Sequence, residues 1–309
     1  MDKLKIIKKI KNIIKKYGIK KYIDKFDFKF DYNKDDDENI FYEKLNKFVK
    51  RYHEHSSIKI MKKLSNDGII YENVTRYKNS KIWRKLPSCK IKNNIGIIEF
   101  YKFVMTGSGD FSDPIDRKDR DKIVKYVHKF INNNKMKGFI IDFSEFININ
   151  KMKGIIIDFR KHYGGSFVPV ALSFGKYFDT LFRFYQNKLS PWATFSEDKI
   201  IYTKYKSNKN YFPIPIAIII GKNTSSSGEI SAAIFYGKPN IKFFGQSSGG
   251  ALSINEGHKI NDNLELIITT ALCETTDKKI HYDEKLYPDY QTNNPIKDAI
   301  KWINNFKKV

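Results

Sequence analysis

Residues 214–236 read IPIAIIIGKNTSSSGEISAAIFY, and the change of pattern inside this stretch decides the fold. Ile214 to Ile220 is a short, continuous, largely β-branched run, which suits a strand buried on both faces of a sheet. Gly221 to Glu229 is rich in small and polar residues, and Ile230 to Tyr236 then predicts a helix. In a strand–turn–helix unit the turn can push a hydroxyl into solvent, and the N–H groups at the helix start can hold an oxyanion. Ser225, Ser226 and Ser227 are therefore candidate nucleophiles. The same residues also suit an ordinary N-cap, with Glu229 completing a capping pattern, and spacing alone does not choose between the two.

Working outward, Ile155 to Phe159 predicts a second buried strand, followed by a turn at Gly164 and Gly165. Adjacent glycines let a backbone approach a ligand closely with its N–H groups available, though they also suit a plain βα turn. This strand belongs to a short repeat: NKMKGFIIDF at 134–143 recurs as NKMKGIIIDF at 150–159, a tandem strand duplication within 134–159. Further strands are expected at Ile95–Phe103, 241–244 and 264–270. Helices are expected around Ile123–Phe130, Val170–Phe178 and 295–306, with a polar loop at Thr106–Asp113. Strands alternating with helices predict an α/β core with a mixed, partly parallel sheet.

Before that core, residues 1–65 read as two or three helices, broken near Gly18 and at the acidic turn Asp35–Glu38. Ile6, Ile7, Ile10, Ile13 and Ile14 form one apolar stripe, which by default packs against the rest of the chain. The second helical pattern, Ile40, Phe41, Leu45, Phe48 and Val49, runs into Arg51-Tyr-His-Glu-His-Ser56, placing His55 at a helix end. The expected organisation is a small N-terminal helical cap over 1–68, followed by a core over 69–309.

Composition narrows the function classes. The excess of 57 Lys+Arg over 34 Asp+Glu gives a net charge of +23. Lys, Ile, Asn and Tyr are over-used together and the lysines are scattered, so a lysine-coated surface is expected rather than a specific nucleic-acid partner. Cys89 and Cys273 show no metal-type or redox spacing. No apolar run suits a signal-peptide core or a membrane span, which favours an intracellular location. No cofactor or metal is expected. Any of six histidines, at 53, 55, 128, 162, 258 and 281, could serve a nucleophile as base, and spacing selects none.

Together these segments resemble the S41 peptidases, the tail-specific or carboxyl-terminal-processing family. Ile155-Ile-Ile-Asp-Phe-Arg-Lys-His-Tyr-Gly-Gly165 is similar to its hydrophobic-Asp-Leu-Arg-x-Asn-x-Gly-Gly segment. Thr224-Ser-Ser-Ser-Gly-Glu229 resembles its Thr-Ala-Ser nucleophile motif, which would make Ser226 the nucleophile. Phe244–Gly250 resembles the glycine-rich segment that follows, and Leu286-Tyr-Pro-Asp289 with Asn294–Trp302 resembles the closing segment. Many members use a lysine base in a Phe-Gly-Lys-Gly segment; that place falls here at Ala251. The interval 56–95 also has no room for the PDZ domain such members carry. Both departures resemble the branch typified by nisin-resistance proteins, whose base is a histidine in a Gly-His-Ser-like motif. His55-Ser56 matches it, with Glu54 in place of the glycine.

The resemblance implies a ClpP/crotonase-like core and a serine peptidase acting on a peptide or protein substrate. Ser226 and His55 would be the catalytic dyad, the N–H groups of Gly164, Gly165 and Ser227 the oxyanion donors, and Glu229 a support for the serine turn. The alternative is an inactive relative that binds a peptide or ligand on the same scaffold, because a duplicated strand beside the oxyanion turn could displace Gly164.

Overall fold

The computed structural model describes residues 2–63, 69–71, 86–103, 114–131, 152–174, 180–196, 199–203 and 214–306. In chain order its elements begin with helices α1 (Lys3–Tyr17), α2 (Lys20–Ile23) and α3 (Glu38–Tyr52). Strands β1 (Ser57–Lys63), β2 (Ile69–Tyr71), β3 (Ser88–Lys92) and β4 (Ile95–Phe103) follow, then α4 (Pro114–Ile131), β5 (Gly154–Gly165) and α5 (Val168–Phe174). Next come β6 (Thr180–Tyr185), β7 (Trp192–Ser196), β8 (Lys199–Thr203), β9 (Ile216–Ile220) and α6 (Ser227–Ala233). The chain continues through β10 (Ile241–Gly245), β11 (Ser253–Asn261), β12 (Leu264–Glu274), β13 (Tyr290–Gln291) and α7 (Pro295–Asn304). Contacts divide these elements between two compact units. One gathers residues 1–80, 185–189 and 253–272; the other holds 81–184, 190–252 and 273–309.

The first unit is built on two amphipathic helices. Asp2 opens α1 by accepting a 3.0 Å hydrogen bond from the Lys5 amide, and Asp37 opens α3 by accepting one of 2.8 Å from the Ile40 amide. Both are standard N-caps, which satisfy donors that the first helical turn leaves unpaired. The α1 stripe turns inward: Ile6, Ile7, Ile10 and Ile14 are buried with Phe41, Leu45, Phe48 and Val49 of α3. Ile260, Leu264, Leu266 and Ile268 complete this core from β11 and β12. Within the unit, β1 pairs antiparallel with β12 and with β2, and β11 pairs antiparallel with β12. The expected strand region therefore starts earlier than residue 69.

The helix expected to reach His55 stops at Tyr52, with His53 already in an extended conformation. Long-range hydrogen bonds join the chain to β12 at this point. The buried Ser56 hydroxyl lies 3.4 Å from the Thr269 amide, and His53 Nδ1 lies 2.9 Å from Thr269 Oγ1. Tyr52 anchors the same corner. Its hydroxyl accepts from the Ile19 amide at 2.8 Å and donates to the Thr269 carbonyl at 2.8 Å.

The second unit carries a six-stranded mixed sheet in the order β13-β10-β9-β5-β4-β3. β3 and β4 are antiparallel, and the remaining neighbours are parallel. The central strands β5 and β9 are buried on both faces, which is why they read as continuous apolar runs. Alternation sorts their side chains. Ile156, Ala217 and Ile219, with Ile95 and Ile97 of β4, pack against Ala299 and Ile303 of α7. On the opposite face Phe159 meets Phe100 and Phe235, and Phe235 meets Phe174 of α5. The sheet is thus covered on both sides. The second copy of the repeat forms β5; the first copy, at 134–143, lies outside the described residues, as do the loop Thr106–Asp113 and Phe178. Among the described residues no helix is long and apolar enough to cross a membrane.

Tyr52→Phe leaves a buried amide and a buried carbonyl without the hydroxyl that served both. Each such loss costs about 1–3 kcal/mol. Urea unfolding monitored by circular dichroism should show a destabilisation of at least about 1 kcal/mol for this variant; an unchanged midpoint would remove Tyr52 as the anchor of this corner.

Candidate active site

Beyond β9 the chain folds into a turn fastened to β5. The Thr224 hydroxyl donates to the Phe159 carbonyl at 3.1 Å and accepts from the Gly221 amide at 3.1 Å. The Thr224 amide reaches back to the Gly221 carbonyl at 2.8 Å. The Ser225 amide then donates to the His162 carbonyl at 3.3 Å, and Ser226 follows with φ 54° and ψ −125°. That is a strained conformation for a residue with a Cβ, worth about 1–3 kcal/mol, and it persists only where surrounding contacts impose it. Immediately afterwards α6 begins. The arrangement is a strand-to-helix elbow with a serine at its apex.

Two glycines make the elbow sterically feasible. A Cβ on Gly228 would lie 2.0 Å from the His162 carbonyl oxygen, so only glycine lets α6 approach β5 this closely. Gly164 has φ 123°, and a Cβ there would lie 3.2 Å from Ser226 Cβ and 3.6 Å from Ser226 Oγ. The Ser227 hydroxyl donates to the Gly165 carbonyl at 2.6 Å, tying the two segments together. The structure therefore brings Ser226, Ser227, Gly164 and Gly165 to one place. The diglycine is not a turn after the strand: β5 runs to Gly165, with an irregular register against β4 near its end.

Glu229 holds the elbow from beneath. It is fully buried, and its two carboxylate oxygens accept from four donors. The amides of Ser226, Gly250 and Ala251 lie at 3.0, 2.9 and 2.7 Å, and the Ser248 hydroxyl is the fourth. Burial raises its pKa above the ordinary carboxylate value, and the four hydrogen bonds oppose that rise. The Glu229 half of the capping pattern is thus present, on a serine whose backbone is not the extended one of an ordinary N-cap. What sequence reading missed is the second end of this link. The glycine-rich segment 244–250 was visible, but nothing in the spacing ties it to Glu229.

His55 belongs to the first unit and Ser226 to the second. His55 sits in the turn between α3 and β1, partly exposed, with Nε2 3.7 Å from Glu54 Oε1 and its ring 5.1 Å from that of His53. The other histidines make contacts of their own. His53 contacts Thr269, His258 stacks on Tyr17, and His128 Nε2 lies 3.1 Å from the Ser173 carbonyl. His162 is buried with Nε2 3.4 Å from Ser231 Oγ, and the buried His281 contacts Thr275 and the Lys285 carbonyl. Among the described residues no group of three or more His, Cys, Asp or Glu side chains could hold a metal ion.

Glu229→Gln keeps the volume but turns an NH2 group toward N–H donors that now face an oxygen. Hydrogen bonds to a charged group contribute about 1.5–3 kcal/mol, and the variant should lose at least that much in chemical unfolding. A variant as stable as the parent would show that the carboxylate does not hold this elbow.

Comparison with known proteins bears on the same segments. Residues 94–292 match the model of peptidase family S41, and this interval contains Ser226, Gly164, Gly165, Ser227 and Glu229 but not His55. The nisin-resistance protein of Lactococcus lactis subsp. lactis is 41% identical over 103 residues, 33% of this chain and 32% of that protein. The chain thus spans about a third of the length of the curated relative that it matches. A solved lipoprotein from Streptococcus agalactiae superposes with a TM-score of 0.59 at 21% identity, covering 88% of this chain and 83% of that one. A solved protein from Parabacteroides merdae ATCC 43184 gives 0.50 at 12% identity, covering 88% and 84%. At these identities the two solved structures speak for the fold alone. The family model covers more than half of the sequence, and the chain belongs to peptidase family S41.

Proposed function

We infer that this chain is a serine peptidase with a ClpP/crotonase-like core, in which Ser226 is the nucleophile and His55 its base. The observation that carries the reading is the strained elbow at Ser226, apposed to Gly164 and locked by Glu229 within the family-matched segment. A backbone held at positive φ needs a reason, and presenting a reactive hydroxyl at a helix start is the one this site offers.

In the proposed reaction Ser226 Oγ attacks the carbonyl carbon of a peptide bond while the His55 imidazole takes the hydroxyl proton. The negative charge that develops on the carbonyl oxygen is held by the N–H of Ser227 with that of Gly164 or Gly165. Collapse breaks the C–N bond, and the departing amine takes the proton from the imidazole. Water, deprotonated by the same imidazole, then attacks the acyl ester and restores Ser226. Glu229 does not touch the reactants in this scheme; it keeps the serine turn in place. A lysine base has no candidate at Ala251, whose amide is instead bound to Glu229.

The alternative of an inactive binding protein was motivated by the duplicated strand, which could have displaced Gly164. Gly164 lies against Ser226, so that motive falls away.

A fluorophosphonate probe tests the reading directly. The parent should gain one covalent adduct at Ser226 by peptide mass mapping, and Ser226→Ala should gain none. His55→Ala should label about 10²–10⁴ times more slowly, the usual contribution of a general base, whereas His53→Ala should stay within a few-fold of the parent. An unlabelled parent, or equal labelling of Ser226→Ala, would end the peptidase assignment.

A further inference from the structure

Beyond the carboxyl ends of β9, β10 and β13 the second unit has a depression of about 230 Å³. Arg160, Lys222, Asn223, Gln246 and Asn293 are among its lining residues, and among the described residues no acidic side chain lines it. Open α/β sheets bind ligands in such crevices, where parallel strands end together. The volume is below the roughly 300–1,000 Å³ of a pocket that encloses a whole small molecule. It suits one group of a longer ligand.

The charge left over in the depression is positive. The buried Asp158 carboxylate takes up Arg160 Nε at 3.0 Å and Nη2 at 2.6 Å. Nη1 has no partner among the described residues. Lys222 is exposed and makes no ion pair among them. Gln246 Nε2 donates to Asn293 Oδ1 at 3.0 Å, which leaves the Asn293 amide N–H groups available beside the two cations. A planar guanidinium edge, an ammonium and an amide donor form a site for an anion, and a carboxylate fits that geometry.

The depression is joined to the elbow by a single short loop. Lys222 precedes Ser226 by four residues, so their backbones are separated by no more than about 14 Å of chain. The turn from Gly221 to Thr224 shortens that path. Methylene carbons of Arg160 run along Gly221, at 3.5 Å from where a Cβ would stand. A ligand group bound here would therefore lie within a few residues of a bond presented to Ser226.

We propose that this depression is a subsite for a carboxylate of the peptide substrate, held by Arg160 Nη1 and the Lys222 ammonium. The choice of a peptide rests on the peptidase reading; the preference for an anion rests on the lining alone. The carboxylate is either the chain terminus or an acidic side chain.

The experiment is fluorescence anisotropy on the full chain carrying Ser226→Ala, so that binding is read without turnover and independently of probe labelling. Three rhodamine-labelled octapeptide mixtures serve as probes. The first lacks Asp and Glu and has free carboxyl termini; the second is the same mixture amidated; the third is amidated and carries one Glu. The free-acid or the Glu mixture should bind at least about tenfold more tightly than the neutral one, and which of the two does so identifies the source. Lys222→Gln should cut that advantage at least about threefold, since it removes one of the two cations. Lys153→Gln, an exposed change at the other end of β5, should leave it intact. Arg160→Gln should also cut it, but Lys222→Gln decides the matter because Asp158 needs Arg160. Equal binding of the three mixtures, no binding of any, or an advantage untouched by Lys222→Gln would overturn the proposal. So would an equal loss in Lys222→Gln and Lys153→Gln, which would assign the preference to the basic surface at large.

Discussion

A buried carboxylate receiving four hydrogen bonds is the interaction on which the site depends. Taking a charged carboxylate out of water costs several kcal/mol, and the cost is offset only when its lone pairs are filled with good geometry. Glu229 meets that condition by drawing donors from its own helix start and from a segment some twenty residues further on. Each donor is fixed in return. The Ser226 amide cannot swing out of its positive-φ conformation without abandoning the carboxylate, and the glycine segment cannot drift without stranding it. Strain at the serine and burial at the glutamate thus stabilise each other.

The sheet explains why these parts meet at all. β5 and β9 are neighbours and parallel, so the carboxyl end of β5 and the turn after β9 lie at the same end of the sheet. Gly164 and Ser226, far apart in sequence, become neighbours through that pairing. Antiparallel pairing would have sent them to opposite ends. Gly228 then removes the last steric obstacle by letting the helix start rest on the His162 carbonyl.

Much of this was legible in the sequence, for identifiable reasons. The isoleucine runs at 155–157 and 216–220 announced strands buried on both faces, and the small residues between Gly221 and Gly228 announced a close backbone approach. The α1 stripe and the apolar pattern of α3 predicted their helices well, because apolar periodicity is a local signal. Long-range hydrogen bonding was not legible. The end of α3 at Tyr52 is joined to Thr269, and Glu229 is anchored by Ser248, Gly250 and Ala251; neither partner is near in sequence. The strand pairs of β11 with β12 and of β1 with β12 were hidden for the same reason. As for His55, only the motif resemblance singled it out from six histidines, because each of them is an ordinary polar residue by spacing.

The first unit also has a discontinuous chain: its helices are made early, yet Leu264, Leu266 and Ile268 belong to the same core. During synthesis the core shared by α1 and α3 therefore stays incomplete until β11 and β12 have left the ribosome. The sheet unit is completed later still, because β13 and α7, with Ala299 and Ile303 of its core, are the last elements made. An aggregation-prone interval of that kind is one that holding chaperones are suited to bridge.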